Sequence, residues 1–290
     1  MTPFEFLLPY SLEEALSLLD AEDPSIRPVS GGTAVMLMMK AGVLQPTRLV
    51  SLHKIGPQHA RVTVAADGAL QIGGMARLAD IETAPEVRKA WPLLAHALRG
   101  VANPRVRSVA TIGGNLSHAD PHMDMPPVLA ALDAQVTLSG PGGATRTVNA
   151  DALCTGYYET VIRRDELVTS IRVPPQAGPG AYLKMTTRAA HDWPALGLAV
   201  VLQMDGDRVV RASILTGAAT DSPTRLGEAQ AVLVQRGLGA PALAEAAEAA
   251  VAEAPLVGDS HGSVAYKRQL LRVSLPRAIQ SALNHSRSTA

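Results

Sequence analysis

Between residues 174 and 180 the chain reads Pro174-Pro175-Gln176-Ala177-Gly178-Pro179-Gly180. Proline lacks the amide hydrogen that a helix or sheet needs, and glycine pays extra backbone entropy in either, so no regular element passes through such a stretch. The two sides must organise themselves separately. A length of 290 residues suits two domains, or one with a large appendage.

Upstream of the break, strands and helices alternate. Ser11-Leu12-Glu13-Glu14 is a capping box ahead of Leu12, Ala15, Leu16, Leu18 and Leu19 at helical spacing, which predicts a helix over about residues 11–21. IRPVSGG reads as a short strand ending in a double-glycine turn, and TAVMLMMK as the helix that leaves it. RLVSLHKI, RVTVAADGALQIGG and QVTLSGPGGATRTVN show β-branched alternation, with turns at Asp67-Gly68 and Gly142-Gly143. RLADIETAPEVRKAWPLLAHALRG between them is helical in pattern. This first part is α/β.

Downstream, YLKMTTRAAHDWPALGLAVVLQMDGDRVVRASILTGA predicts strands with a hairpin at Asp205-Gly206. Helical stretches follow over about residues 224–237, 240–253 and 263–284, and Pro276 should kink or break the last of them. Strands followed by helices make an α+β domain. The expected division is 1–176 and 177–290.

Composition excludes several function classes. Lys+Arg and Asp+Glu both number 26, the formal net charge is zero and no basic cluster stands out, which leaves no footprint for nucleic acid. Apolar residues at 47% with no net charge suit a chain that covers part of its surface with partners. The one cysteine, Cys154, can form neither an internal disulfide nor an iron–sulfur cluster, so any such cluster belongs to another chain. The start, MTPFEFLLPYSLEEALSLL, lacks the basic segment of a secretion signal, and no apolar run approaches the ~20 residues that span a bilayer. The chain reads as soluble and cytoplasmic.

Two features carry chemistry. TIGGNLSHADPHMDMPP places His118, Asp120, His122 and Asp124 at alternate positions, where imidazole and carboxylate together could bind a metal. Pro121 and the DMPP that follows argue against a regular strand, and no second ligand region is evident, so a metal site ranks behind a cofactor loop and behind a plain surface loop. The other feature is a pair of double glycines. Gly31-Gly32-Thr33 sits where a strand gives way to a helix, so several amides can converge on one anion, and Thr111 to Asn115 repeats the arrangement. Two such turns could hold one cofactor diphosphate from two sides. Neither is a G-x-G-x-x-G unit or a P-loop, and the residues alone do not name the cofactor.

The order and spacing of larger blocks do. FEFLLPYSLEEALSLL, SGGTAVMLMMK, LVSLHKI, ATIGGNLSHADPHMDMPPVLAALDA, TGYYETVIRRDELVTSIRVP, YLKMTTRAAHDWPALGLAVVL and YKRQLLRVSLPRAI together resemble the FAD-binding medium subunits of the molybdenum hydroxylases, as in carbon monoxide dehydrogenase and xanthine dehydrogenase. The resemblance implies a vanillyl-alcohol-oxidase (PCMH) type FAD domain of two α/β subdomains, followed by an α+β C-terminal domain with an antiparallel sheet and helices. It implies that Ser30, Gly31, Gly32, Thr33, Ala34 and Val35 wrap the FAD diphosphate and that Thr111 to Asn115 complete the cradle, so a side chain at Gly32 or Gly114 should expel the cofactor. Ala102, Ala110, Gly114, Ser117, His118, Leu167 and Val168 fall at positions near the cofactor, Asp124 at one making a polar contact with it. Lys184, Asp192 and Trp193 match positions beside the flavin or its adenine half. Trp193, where the family often has tyrosine, would cover one face of the ring or else pack in the core at the domain junction. His122 receives no role.

The resemblance further implies a division of labour in which a large subunit carries the molybdenum cofactor, a small one carries 2Fe-2S clusters, and this chain carries FAD, assembled as a dimer of heterotrimers. Flavin takes electrons singly and releases them in pairs, so no side chain need act as acid or base. A stand-alone FAD oxidase or reductase of the same fold is the alternative. The substrate and the final acceptor, whether NAD, quinone, cytochrome or oxygen, stay open.

Overall fold

The computed structural model describes residues 2–287. The first strands, β1 (Glu5–Leu7), β2 (Ile26–Val29) and β3 (Arg48–Ser51), form a sheet in the order β1-β3-β2 with both pairings parallel. Parallel neighbours need crossovers, and α1 (Leu12–Ser17) and α2 (Thr33–Lys40) lie on them. The α1 start is the expected cap: Ser11 Oγ accepts from the Glu14 amide at 3.0 Å, while Glu14 Oε2 accepts from the Tyr10 amide at 2.7 Å. The helix ends at Ser17 rather than about residue 21, because Asp20 and Asp23 accept from the amides of Glu22 and Ser25 and turn the chain.

Next come β4 (Val62–Val64), β5 (Leu70–Gly73), β6 (Gln135–Ser139), β7 (Thr145–Asn149), β8 (Cys154–Gly156), β9 (Glu159–Thr160) and β10 (Leu167–Val173). Five of these form a sheet ordered β4-β5-β10-β6-β7 that is antiparallel throughout, and β8 pairs with β9. The turns expected at Asp67-Gly68 and Gly142-Gly143 join β4 to β5 and β6 to β7. Six helices lie between β5 and β6: α3 (Leu78–Thr83), α4 (Pro85–Ala90), α5 (Pro92–Arg99), α6 (Pro104–Arg107), α7 (Ile112–His118) and α8 (Met125–Ala131). Pro85 and Pro92 divide the helical stretch after Arg77, each opening a new helix where a missing amide costs least.

Beyond the proline-rich break, β11 (Gly180–Thr186), β12 (Pro194–Asp205), β13 (Arg208–Gly217) and β14 (Thr224–Arg225) form an antiparallel sheet in sequence order. Three helices follow, α9 (Gly227–Arg236), α10 (Ala240–Glu253) and α11 (Val264–Arg287). The helix expected from about residue 224 starts at Gly227, because Thr224 and Arg225 pair with β13 instead. The expected break at Pro276 does not occur, and α11 runs through it. Leu271, Leu275, Ala278, Ile279 and Ala282 are fully buried on both sides of it, which offsets the roughly 3 kcal/mol of an interior proline.

Strand β12 is buried from Pro194 to Leu202 on both faces. Ala199 and Val201 join a core built from α3, α5, α7, α8 and the five-stranded sheet, whereas Leu196, Leu198, Val200 and Leu202 pack with α9, α10 and α11. One sheet thus serves two cores. Among the described residues no helix is long and apolar enough to cross a membrane.

The break itself is tied down by α5 and the residue before it. Trp91, fully buried, donates Nε1–H to the Pro174 carbonyl at 2.6 Å, and Gln176 Oε1 accepts from the Leu93 amide at 3.2 Å. Trp91→Phe keeps most of the apolar contact but strands that carbonyl. It should cost about 1–3 kcal/mol in chemical denaturation, and an unchanged midpoint would show the bond to be immaterial.

Candidate functional site

A cleft of about 1280 Å³ runs between the parallel sheet, α7 and the end of the C-terminal sheet. That exceeds the roughly 300–1000 Å³ of an ordinary small-ligand pocket. Its first wall is the turn from β2 into α2. Gly31 is forced by close approach, since a Cβ there would lie 2.0 Å from the Val109 carbonyl oxygen. Gly32 is forced differently: its φ is +70°, while a Cβ there would make only ordinary contacts, 3.7 Å from Met36 and 3.8 Å from Val29. Within the chain, bulk therefore collides at Gly31 rather than at Gly32. Gly32 caps α2 with no side-chain acceptor, so the first amides of the helix, at Thr33, Ala34 and Val35, face the cleft free for an anion.

The second wall differs from its expected form. Thr111 is not the end of a strand but the N-cap of α7, with Gly113 and Gly114 inside the first turn. Thr111 Oγ1 accepts from the Gly114 amide at 3.2 Å and bonds Ser30 Oγ at 2.8 Å, which joins the two glycine segments directly. A Cβ on Gly114 would sit 2.7 Å from Ser30 Oγ and 3.0 Å from Thr111 Oγ1, breaking that link. Gly113 packs on the Gly74 carbonyl, its amide donating at 2.8 Å. Asn115 gives its Nδ2 to Met123 Sδ at 3.1 Å, while its buried Oδ1 has no partner in the chain. Asn115 lines the cleft, and a buried carbonyl oxygen without a partner in the chain can accept from a group bound there. Ser117 Oγ is spent on the Gly113 carbonyl at 2.8 Å.

Asp124 lies where the two parts of the chain meet. The carboxylate is 4% exposed, and it accepts from Tyr182 Oη at 2.7 Å and from Lys184 Nζ at 2.9 Å. Lys184 also donates to the Gly100 carbonyl at 3.0 Å. Burial pushes the Asp124 carboxyl above the usual range despite the lysine beside it. Burial and the Asp124 charge push the Tyr182 hydroxyl up as well. Lys184 and Asp124, expected as separate contacts of the cofactor, are thus partners of each other.

At this end of the cleft Trp193 is 51% exposed and lines the wall, so it is not core packing at the junction. Asp192 shapes its turn, Oδ2 accepting from the Ala189 amide at 3.1 Å. His118 stacks edge-on against Tyr158 with centroids 5.2 Å apart, and burial lowers its pKa. Ala102, Ala110, Leu167 and Val168 line the cleft with the others, so the structure brings every expected cofactor residue to one surface. Arg27, Gly74 and Tyr158 also line it and were missed. Tyr158 stood in a quoted block, but nothing in TGYYET distinguishes it from Tyr157. His122 is held on both ring nitrogens by carboxylates, and no group of three or more His, Cys, Asp or Glu among the described residues is arranged for a metal.

Residues 2–176 match the family described as the FAD binding domain in molybdopterin dehydrogenase, and residues 181–282 match the CO dehydrogenase flavoprotein C-terminal domain. The carbon monoxide dehydrogenase medium chain of Hydrogenophaga pseudoflava is 33% identical over 281 residues, 96% of each chain. The glyceraldehyde dehydrogenase medium chain of Sulfolobus acidocaldarius is 30% identical over 277 residues, 96% of this chain and 97% of that one. A solved carbon monoxide dehydrogenase structure from Hydrogenophaga pseudoflava superposes with a TM-score of 0.93 at 32% identity, covering 99% of this chain and 100% of its counterpart. With its cradle of amides and its buried bare acceptor, the chain belongs to the FAD-binding medium subunits of the molybdenum hydroxylases.

Proposed function

We propose that this chain holds one non-covalent FAD in the cleft and passes electrons from the 2Fe-2S clusters of a small partner subunit to an external acceptor, within a complex whose large subunit carries the molybdenum cofactor. The cofactor part is residues 1–176 and the α+β part 177–290, assembled as a dimer of heterotrimers. Substrate choice falls to the molybdenum subunit. The observation that carries the reading is the cradle: amides of α2 free at their N-terminus, Ser30 and Thr111 bonded to each other, and Asn115 Oδ1 buried without a donor.

When bound, FAD supplies the exchange between single-electron donors and a two-electron acceptor. The chain's residues bind and orient. The α2 amides and Ser30 to Val35 hold the diphosphate with the helix dipole behind them. Asn115 Oδ1 accepts from a hydroxyl or amide of the cofactor. Leu167 and Val168 offer apolar surface, and Ala102, Ala110, Gly114, Ser117 and His118 complete the wall. Asp124, Lys184 and Asp192 fix the far end, where Trp193 presents an aromatic face to the ring.

Co-expression with the partner subunits should give a complex of large, medium and small chains by solution mass. A chain that stays alone and turns over a substrate by itself would favour the stand-alone oxidase. Acid precipitation should leave the yellow colour in the supernatant, because no covalent attachment is expected; FMN or covalent flavin would contradict the reading.

Gly31→Ala should abolish FAD retention, because its Cβ drives the turn off the Val109 carbonyl. Gly32→Ala should keep FAD at a cost of about 1–2 kcal/mol of stability from positive φ. The ratio of flavin to protein absorbance checks both, and equal loss in the two variants would contradict the assignment.

Trp193→Ala should retain FAD but bind it roughly two- to tenfold more weakly, the equivalent of the ~0.5–1.5 kcal/mol of a stacked aromatic pair. Flavin fluorescence should change with it, and Trp193→Tyr should restore most of the effect. Unchanged affinity and fluorescence in Trp193→Ala would remove the tryptophan from the ring.

A further inference from the structure

The loop from Ala119 to Asp124 is fastened to the C-terminal part at three points. Asp124 holds Tyr182 and Lys184, the Ala218 amide donates to the Pro121 carbonyl at 2.8 Å, and His122 reaches Asp259. The third fastening is a chain of charges. Asp120 Oδ1 bonds His122 Nδ1 at 3.0 Å and also accepts from the His122 amide at 2.9 Å. His122 Nε2 bonds Asp259 Oδ2 at 2.9 Å. Lys267 Nζ, fully buried, donates to the same Asp259 oxygen at 2.5 Å and to the Ala218 carbonyl at 2.7 Å. Tyr158 Oη closes the other side, donating to Asp120 Oδ2 at 2.7 Å.

Two carboxylates, one on each ring nitrogen, define the state of the imidazole. A neutral ring donates from only one nitrogen, so the other would turn a lone pair toward a carboxylate. Both bonds are made only by an imidazolium. Positive His122 and Lys267 then alternate with negative Asp120 and Asp259 across the seam. His122 also lines the cleft, its ring centroid 6.4 Å from that of Trp193 and 4.7 Å from that of His261.

We propose that His122, as an imidazolium shared by Asp120 and Asp259, is a positioning residue that keeps the seam closed beside Trp193, and that losing its proton opens the seam and speeds FAD release. The proposal rests on the cofactor reading above. Direction follows from linkage. Burial pushes the imidazole down, but the bonds and charges of Asp120 and Asp259 outweigh it and hold its pKa above the ordinary 6.5. A raised pKa means the bond is fully present below 6.5 and is lost as pH rises through the raised value.

The neighbours do not mimic this step. His118 and His261 are pushed below 6.5 by burial, so they lose their protons on the acid side of the His122 step. Asp120 lies below the usual carboxylate range and Asp259 lies at about 2: burial alone would raise both, but hydrogen bonds from His122 and Tyr158 to the former, and from Lys267 and His122 to the latter, outweigh it. Tyr158 is pushed well up by burial and by Asp120. Lys267 from α11 holds the far side of Asp259, and the exposed His191 and Asp192 of the turn before β12 line the same cleft.

The test uses the FAD-loaded full chain and follows free-flavin fluorescence after dilution, between about pH 6 and pH 9. Release should be slow at the acid end and roughly tenfold faster at the alkaline end, the worth of one charge-assisted hydrogen bond. His122→Gln should release fast at every pH. Asp259→Asn should move the step to lower pH, because one of the two charges that raise the histidine is gone. A flat profile in the wild type, a step that survives in His122→Gln, or a step at unchanged pH in Asp259→Asn overturns the proposal. Should His122→Gln fail to fold, the Asp259→Asn shift decides alone. A chain that holds no FAD even at the acid end would instead overturn the cofactor reading.

Discussion

The cleft exists because β12 is buried on both faces. An antiparallel sheet commonly keeps one face for solvent, but here alternate residues of one strand enter two different cores. The two halves of the chain therefore share a sheet and cannot pack independently. Everything that lines the cleft between them inherits a fixed spacing from that shared strand.

Polar groups then fix what apolar packing leaves adjustable. Apolar contact is non-directional, so it brings α8 and the C-terminal sheet together without setting their register to a fraction of an ångström. Asp124 sets it, with Tyr182 and Lys184 each donating to one of its oxygens at a depth where an unpaired carboxylate would be costly. The loop that carries Asp124 also carries His122 and begins at the end of α7, so the anion cradle, the seam and the ring end of the cleft form one continuous piece of chain. That continuity couples the cleft wall to the domain junction.

Much of this was legible in the residues. The capping box at Ser11, the hairpin glycines, the proline-rich break and the alternation along the strands are local signals, and local signals report local structure. For the second glycine pair, TIGGN has the composition of a strand-to-helix turn, yet only the segment packed beside it, with Ala76 accepting from the Ile112 amide and Arg77 bridged to Thr111, shows that Thr111 caps a helix starting at Ile112. Gly31 and Gly32 looked alike for the same reason. A clash with Val109 is a contact across the fold, whereas a positive φ belongs to the residue itself.

The sequence by itself determined the element types, the two-part organisation and the family, because periodicity, turn chemistry and the order of blocks are properties of the linear chain. It also limits the thiolates to one, too few for the several that an iron–sulfur cluster takes. Only the tertiary structure decided that Asp124 and Lys184 are partners, that Asn115 holds a bare buried oxygen, and that His122 stands between two carboxylates, one of them 137 residues along the chain. Charge pairing is a matter of distance in space. The sequence lists which ionisable groups exist, but folding chooses which of them lose their water together, and that choice gives His122 a role its neighbours in the chain do not reveal.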